Sequence, residues 1–309
     1  MAKLEKTVAP KSAFLRWFLA SRPQSLAAAT APVVVALASA WRDLQDVDGA
    51  FKIVPAICCL GFAIFAQLAA NFINDYADYR SGADIDEPGG PIRALVEGWI
   101  SVRCALISGF GCLAVACCFG LGTIYYGGWL ILVVGIVSCL ASVFYSCGPK
   151  PMAYYGLGDV AVVTFFGVTP VVFTYYLQTH VISWEMALVG LAIGIVCDNV
   201  LVANNYRDRD QDRLHRKYTS IAIFGERFGR YFYLVNGLLA IALLIAVFCA
   251  RRNVSIVFAT ITIVCYTALH LIAWRRLAAL REGSELTRVY EMSARNLLAL
   301  AILTAVAVL

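Results

Sequence analysis

The chain has 309 residues, of which 61% are hydrophobic, with a mean hydropathy of +0.75 and a formal net charge of +5. Soluble domains are closer to half apolar, so this composition excludes an ordinary soluble enzyme. A transmembrane β-barrel would show alternating runs of about ten residues, and these are absent.

A helix that crosses the hydrocarbon core needs about 20 apolar residues. Nine stretches qualify in chain order: roughly 24–41, 51–73, 103–121, 128–146, 158–178, 184–204, 231–250, 253–273 and 292–309. Backbone polar groups in lipid must be paired within each segment. The expectation is therefore an all-α polytopic membrane protein with about nine transmembrane helices. It is read as one domain over 1–309, with residues 1–13 as a flexible tail. Residues 1–22 are basic, and Ala38-Ser39-Ala40 has the look of a signal-peptidase site. Pro23 and Pro32 interrupt that run and eight further spans follow, so the first span is expected to be retained. None of the 11 cysteines forms a Cys-x-x-Cys pair, and most lie inside apolar spans. They read as small buried hydrophobes and supply no metal framework.

With the N-terminus inside, 21 of the 25 Lys and Arg residues fall on one face and four on the other: Arg42, Lys52, Arg251 and Arg252. The positive-inside rule makes the first face cytoplasmic. The net charge is thus loop charge on one membrane face, and no nucleic-acid partner is expected. Two long polar loops emerge on that face. The first, at 75–102, opens DYADYRSGADIDEPGG; the second, NNYRDRDQDRLHRKYTSIAIFGERFGR, covers 204–230.

Both loops carry acids at helical spacing. Asn71, Asn74, Asp75 and Asp78 stand at i, i+3, i+4 and i+7, and Asn204, Asp208 and Asp212 at i, i+4 and i+8, with Asn205 beside them. Asp84 and Asp86 follow the first set. A lone acidic cluster at a helix end is ordinarily a solvated cap. Two clusters with the same amide–carboxylate spacing, on same-facing ends, favour a shared ligand. Hard dications such as Mg²⁺ take oxygen ligands of this kind together with phosphate oxygens. Arg22, Arg93, Lys150, Arg207, Arg213, Arg216 and Lys217 surround the acids, and cations on the far side of a phosphate complete such a site. The inferred substrate is a lipid diphosphate whose apolar tail enters the helices.

NDYADYRSGAD (74–84) resembles the first Asp-rich motif of the UbiA superfamily of intramembrane prenyltransferases, and NNYRDRDQD (204–212) resembles the second. Within that superfamily the chain is most similar to the 1,4-dihydroxy-2-naphthoate prenyltransferases of menaquinone synthesis. That narrower resemblance rests on SRPQSLAAATAPV (21–33), GPIRALVEGWIS (90–101), YSCGPKPMAYYGLGD (145–159) and the Asn-Asn-x-Arg-Asp form of the second motif. The similarity runs from about residue 14 to 230. It implies helices around a central apolar chamber, Mg²⁺ as cofactor, and polyprenyl diphosphate and a naphthoate acceptor as partners. It also implies a bacterial inner or plasma membrane location with a cytoplasmic active site. Asn74, Asp75, Asp78, Asp84, Asp208 and Asp212 match the metal positions. Arg22, Arg93, Lys150, Arg207 and Lys217 match basic positions near the diphosphate, with Asn71, Asn204, Asn205 and Tyr145 as further substrate contacts. The family's Tyr-x-x-x-Lys appears here as Tyr145 to Lys150, one residue longer, which leaves the role of Tyr145 open. Asp198, inside the sixth span, has no counterpart in the motif. It reads equally as a functional acid or as a hydrogen-bonded packing residue.

The chemistry implied is departure of diphosphate, held by Asp78, Asp208, Asp212 and the metal, followed by attack of an electron-rich ring on the allylic cation. For a naphthoate the carboxylate then leaves as CO₂. Asp159 either handles the acceptor hydroxyl or caps its helix. His180 and His215 read as loop residues and His270 as near a helix end. Gly82 and Gly89-Gly90-Pro91 mark a mobile loop, and PIRALVEGWIS is either a short helix over the site or a plain connector. A transporter is the rival class. Its binding groups would lie at the midplane on broken helices, whereas these acids sit at one face and spans two and six lack a Gly-Pro break. Other acceptors within the superfamily are 4-hydroxybenzoate, homogentisate and haem. Prenyl chain length and oligomeric state have no signature in the sequence.

Overall fold

The computed structural model describes residues 10–82, 94–251, 253–281 and 285–309. The helices are α1 (Ala13–Ala20), α2 (Leu26–Gln45), α3 (Ile53–Ser81), α4 (Val102–Phe144), α5 (Gly158–Val163), α6 (Thr169–Thr179), α7 (Trp184–Leu214), α8 (Ser220–Ala250), α9 (Ile256–Ala279) and α10 (Glu285–Val308). A π-turn, Thr164–Val168, joins α5 to α6 as one span. No strand occurs among the described residues.

Among the described residues, eight helices are long and apolar enough to cross a membrane, and one of them is double. The 43 residues of α4 would reach about 65 Å if straight, twice the thickness of a hydrocarbon core. Gly128 breaks it, with φ 63° and ψ −155°, a backbone region open to glycine and strained for other residues. The Cys117 and Cys139 sulfurs, 22 residues apart in sequence, lie 3.7 Å apart. The helix therefore folds back as a hairpin, and the expected nine crossings are accounted for.

α7 is the central post. In its apolar window 72% of residues are buried, against 11% in α4, so α4 lies on the lipid side. Small residues let α7 approach its neighbours. A Cβ on Gly167 would stand 2.4 Å from both Gly190 O and Gly194 Cα, the close approach that membrane bundles use where burial of apolar surface gives no drive between helices. Pro32 sits inside α2 and leaves the carbonyl four residues earlier without its helical donor. The Cys197 thiol of α7 points at that Ala28 carbonyl at 3.8 Å and at Phe166 O at 3.4 Å.

Cys197 is the sole fully buried cysteine. Cys117 and Cys118 are exposed and Cys58, Cys59 and Cys139 half-buried, which corrects the expectation of buried cysteines. A thiol is apolar enough to face hydrocarbon, so residence in a membrane helix does not require burial in protein. His270 is likewise corrected. It lies within α9, 1% exposed, stacked between Tyr233 and Tyr266 with Nε2 on Leu234 O at 3.2 Å.

The two ends of the bundle differ in chemistry. At one end Arg251 pairs with Asp43, Tyr175 donates to Asp43 at 2.8 Å, and the Gln178 amide exchanges hydrogen bonds with the Lys52 backbone. These contacts tie loops together. The other end holds the C-termini of α3 and α7.

Candidate active site

α3 ends in an αL glycine, Gly82, with φ 82°, a common helix stop. Its last turns place Asn71, Asn74, Asp75 and Asp78 beneath the N-terminal segment. Arg22, itself in the αL region at φ 52°, turns the chain between α1 and α2 and aims its guanidinium at Asp75, with which it forms an ion pair. Asn71 is committed to holding that turn: its amide donates to Ser21 O and Ser25 Oγ, both at 2.8 Å, and its oxygen accepts from Gln67 at 2.9 Å. Asn74 donates to Ser146 Oγ at 2.9 Å.

α7 runs on to Leu214. Arg216, with φ 56°, reverses the chain, and the Lys217 amide bonds back to Asp212 O at 2.8 Å. Thr219 then caps α8, accepting from Ala222 N at 3.1 Å while its hydroxyl reaches Asp212 at 3.4 Å. This tight return puts the Lys217 ammonium between the two motifs. It lies 3.7 Å from Asp78 Oδ2 and 3.6 Å from Asp212 Oδ1. Residues 74–78 and 208–212 therefore meet over one cation, although more than a hundred positions separate them in sequence. Arg207 binds Asp208 at 2.7 Å and Asn204 Oδ1 at 3.0 Å, and the Asn204 amide donates to Asp208 at 3.1 Å.

The electrostatics follow from burial. Asp75, Asp78, Asp208 and Asp212 are all under a tenth exposed, and buried charge persists only when paired. Burial works to lower the Lys217 pKa. The carboxylates of Asp78 and Asp212 outweigh it and hold the ammonium well above its usual range. Tyr154, which spacing did not single out, donates to Asp78 Oδ1 at 2.8 Å and offers its ring face to Lys217 at 5.6 Å. Burial, then the Asp78 charge, pushes its phenol up, so it stays a donor. Tyr145 is raised first by burial and faces the chamber.

That chamber has a volume of about 570 Å³ and runs from Arg22, Asp78 and Lys217 at one end to Ile131 and Leu177 near the other. Small-molecule pockets typically span about 300–1,000 Å³. Asn71, Asn74, Tyr145, Asp159, Asn204 and Asn205 also line it, while Asp75, Asp208 and Asp212 lie behind its wall. Asp159 lies in the first turn of α5, and its carboxyl engages its own backbone N–H as well as Ser220 and Asp198.

Lys150 departs from expectation. It is exposed, outside the chamber lining. It stands in a bend between Pro149 and Pro151, with its side chain in solvent. Asp84, Asp86 and Arg93 lie outside the described residues, as do residues 83–93 of the expected loop. Residues 94–99 form turns rather than a helix, and Ala94 and Ile100 pack on Ala20 and Phe72.

The donor set suits a hard dication: four buried carboxylates and the amide oxygens of Asn74 and Asn204. Among the described residues no three acidic, cysteine or histidine side chains already converge on one point. The acids lean on Arg22, Arg207 and Lys217 instead, which is the arrangement those cations would leave if drawn onto an incoming phosphate.

The UbiA prenyltransferase family model matches residues 29–300. The 1,4-dihydroxy-2-naphthoate octaprenyltransferase of Haemophilus influenzae is 32% identical over 240 residues, 74% of each chain. That of Escherichia coli is 34% identical over 242 residues, 74% of this chain and 75% of the relative. A UbiA homolog from Archaeoglobus fulgidus, solved bound to GPP and Mg²⁺, superposes with a TM-score of 0.64 at 15% identity, covering 94% of this chain and 99% of that one. Two acid-bearing helix ends over an apolar chamber, in this fold and with these relatives, show that the chain belongs to the UbiA prenyltransferase family.

Proposed function

We propose that this protein transfers a polyprenyl chain from its diphosphate to 1,4-dihydroxy-2-naphthoate, with loss of CO₂, to give demethylmenaquinone. The observation that carries the reading is the meeting of Asp78 and Asp212 on Lys217 at the head of a 570 Å³ apolar chamber. Such a site grips a charged headgroup and takes a greasy tail. The naphthoate acceptor is supported by the relatives named for it. A single catalytic unit extends over the chain, in a bacterial inner or plasma membrane. The site faces the cytoplasm, as the 21-to-4 division of Lys and Arg supports.

Asn74, Asp75, Asp78, Asp208 and Asp212 would hold Mg²⁺, which when bound neutralises charge on the departing diphosphate. Arg22, Arg207 and Lys217 turn from the acids onto phosphate oxygens, so the same cations serve the empty and the loaded site. Tyr154 keeps Asp78 oriented. The allylic C–O bond breaks with its electron pair leaving on diphosphate. Phe62, Phe165, Phe166, Phe173, Tyr145 and Tyr290 line the chamber, where ring faces stabilise the cation and apolar walls keep water from it. The acceptor ring attacks, and the carboxylate leaves as CO₂.

The test is the purified protein in lipid nanodiscs with one labelled polyprenyl diphosphate and a panel of dihydroxynaphthoate, 4-hydroxybenzoate, homogentisate and haem. Product is expected from the naphthoate, with CO₂ released from its carboxyl group, and only with Mg²⁺. Preference for another acceptor refutes the substrate assignment. Undiminished turnover in chelator, or in Asp78→Asn protein, refutes the metal and carboxylate roles.

A further inference from the structure

A second pair of acids, Asp159 and Asp198, lies outside the two Asp-rich clusters. Asp198 is six residues inward of Asn204 on α7, about 9 Å along the axis, and is 1% exposed. Its Oδ2 accepts from Asn236 Nδ2 of α8 at 2.9 Å. Its carboxyl approaches that of Asp159 of α5, and the Ser220 hydroxyl stands beside Asp159. Asp159 Oδ1, Asp198 Oδ1 and Ser220 Oγ are all buried with no ordinary donor–acceptor partner. Two ionised carboxylates cannot bond to each other. A single proton between them supplies the missing donor and halves the charge that the bundle must bury. Asn236 already donates to Oδ2 of Asp198, so Oδ1 is the atom that carries the proton toward Asp159. Asp159 is the member of the pair that lines the chamber.

We propose that Asp159 and Asp198 form a one-proton acid pair that takes up and returns the ring-hydroxyl proton of the aromatic acceptor, with Asp159 as the catalytic base and Asp198 as a positioning residue behind it. The inference rests on the reading of a hydroxylated aromatic acceptor. Asp159 accepts the hydroxyl proton as the O–H electron pair becomes the carbonyl π bond. A ring pair forms the new C–C bond to the prenyl carbon, whose C–O pair leaves on diphosphate. The ring carbon then releases CO₂, and the C–C pair returns to the ring, generating a phenolate. Asp159 gives the proton back to that oxygen. No oxidant is needed, and the pair ends as it began. During the step both acids are neutral, which is the state a buried site tolerates best. The distance inward also fits. The diphosphate stays at Lys217 while the acceptor sits beside the first prenyl carbons, deeper in the chamber.

The experiment compares wild type, Asp159→Asn, Asp198→Asn and Asp198→Leu in nanodiscs, with Mg²⁺, a polyprenyl diphosphate and dihydroxynaphthoate. Asp159→Asn is expected to lower kcat by about 10²–10⁴-fold, the usual worth of a general base, with the KM for prenyl diphosphate unchanged. In Asp198→Asn the amide donates to Asp159 as the protonated acid does, so kcat should stay within about fivefold. Asp198→Leu, of similar size but without a donor, should lose at least tenfold in kcat. A merely structural pair would instead alter diphosphate binding and would not separate Asn from Leu at 198. An Asp159→Asn enzyme within threefold of wild type, or equal rates for the two Asp198 variants, overturns the proposal. If Asp159→Asn fails to bind prenyl diphosphate and so is misfolded, the Asn–Leu comparison at 198 decides alone. Wild-type protein inactive on every hydroxylated acceptor refutes the functional reading, and the pair's role with it.

Discussion

Replacing Lys217 with Met tests the electrostatic centre of the site. Its ammonium contacts Asp78 at 3.7 Å and Asp212 at 3.6 Å, and the three side chains are 13%, 2% and 6% exposed. At an effective dielectric of about 20, each contact is worth roughly 4–5 kcal/mol of Coulomb attraction before desolvation. Removing one partner of a buried ion pair typically costs about 3–5 kcal/mol, because the remaining charge is stranded. Here two carboxylates are stranded at once. The Met variant should therefore unfold in chelator at a clearly lower midpoint than wild type, by about that free energy. Mg²⁺ can take the vacated place between the acids, and ligand at about 100 times its Kd returns about 2.7 kcal/mol. The variant should therefore regain much of its loss in Mg²⁺ while wild type, whose acids are already paired, gains less. Prenyl transfer should stay low in either condition, since the phosphate contact is gone. The assay is unfolding in mild detergent, followed by intrinsic fluorescence with and without chelator. Equal midpoints for variant and wild type in chelator, or equal Mg²⁺ gains for the two, would refute the reasoning. Because the folded pKa of Lys217 lies above its unfolded value, its contribution is fully present below about pH 10.4 and is lost only as pH rises through the folded value. Wild type should show no Lys217-linked fall in stability up to about pH 10.

Tyr154→Phe removes the 2.8 Å donation to Asp78 but keeps the ring beside Lys217. A lost hydrogen bond to a charged group is worth about 1.5–3 kcal/mol, so kcat/KM should fall roughly ten- to a hundredfold, read in the same transfer assay. Lys150→Ala should leave activity within about twofold, because Lys150 is exposed and outside the chamber; a loss of tenfold or more would place it at the diphosphate after all. Gly167→Ala puts a methyl 2.4 Å from the Gly190 and Gly194 backbone, where no flexible side chain can yield. It should destabilise by about 2 kcal/mol or more, seen as reduced recovery and a lower unfolding midpoint, and wild-type behaviour would show that α5–α6 packs differently on α7.

Apolar runs are a local quantity, and they were sufficient for the all-helical membrane class and, roughly, for the number of spans. Even the hairpin in α4 was legible as two adjacent spans, 103–121 and 128–146, the second opening at the glycine that breaks the helix. Helical spacing likewise put Asn71, Asn74 and Asp78 on one face of α3, and all three line the chamber, because residues three, four and seven apart on one helix share a face whatever surrounds it. What spacing could not decide was partnership across the bundle. That Asp75 answers to Arg22, that Asp78 and Asp212 share Lys217, and that Tyr154 steadies Asp78 all depend on how α3 and α7 pack and on the tight return at Arg216. Lys150 looked equivalent to Lys217 as a basic residue near the motifs, yet it is exposed and outside the chamber. Asp198 and Asp159, 39 positions apart, carried separate and ambiguous readings in sequence. Only the close approach of α5 to α7, opened by Gly167, Gly190 and Gly194, brings them onto one proton.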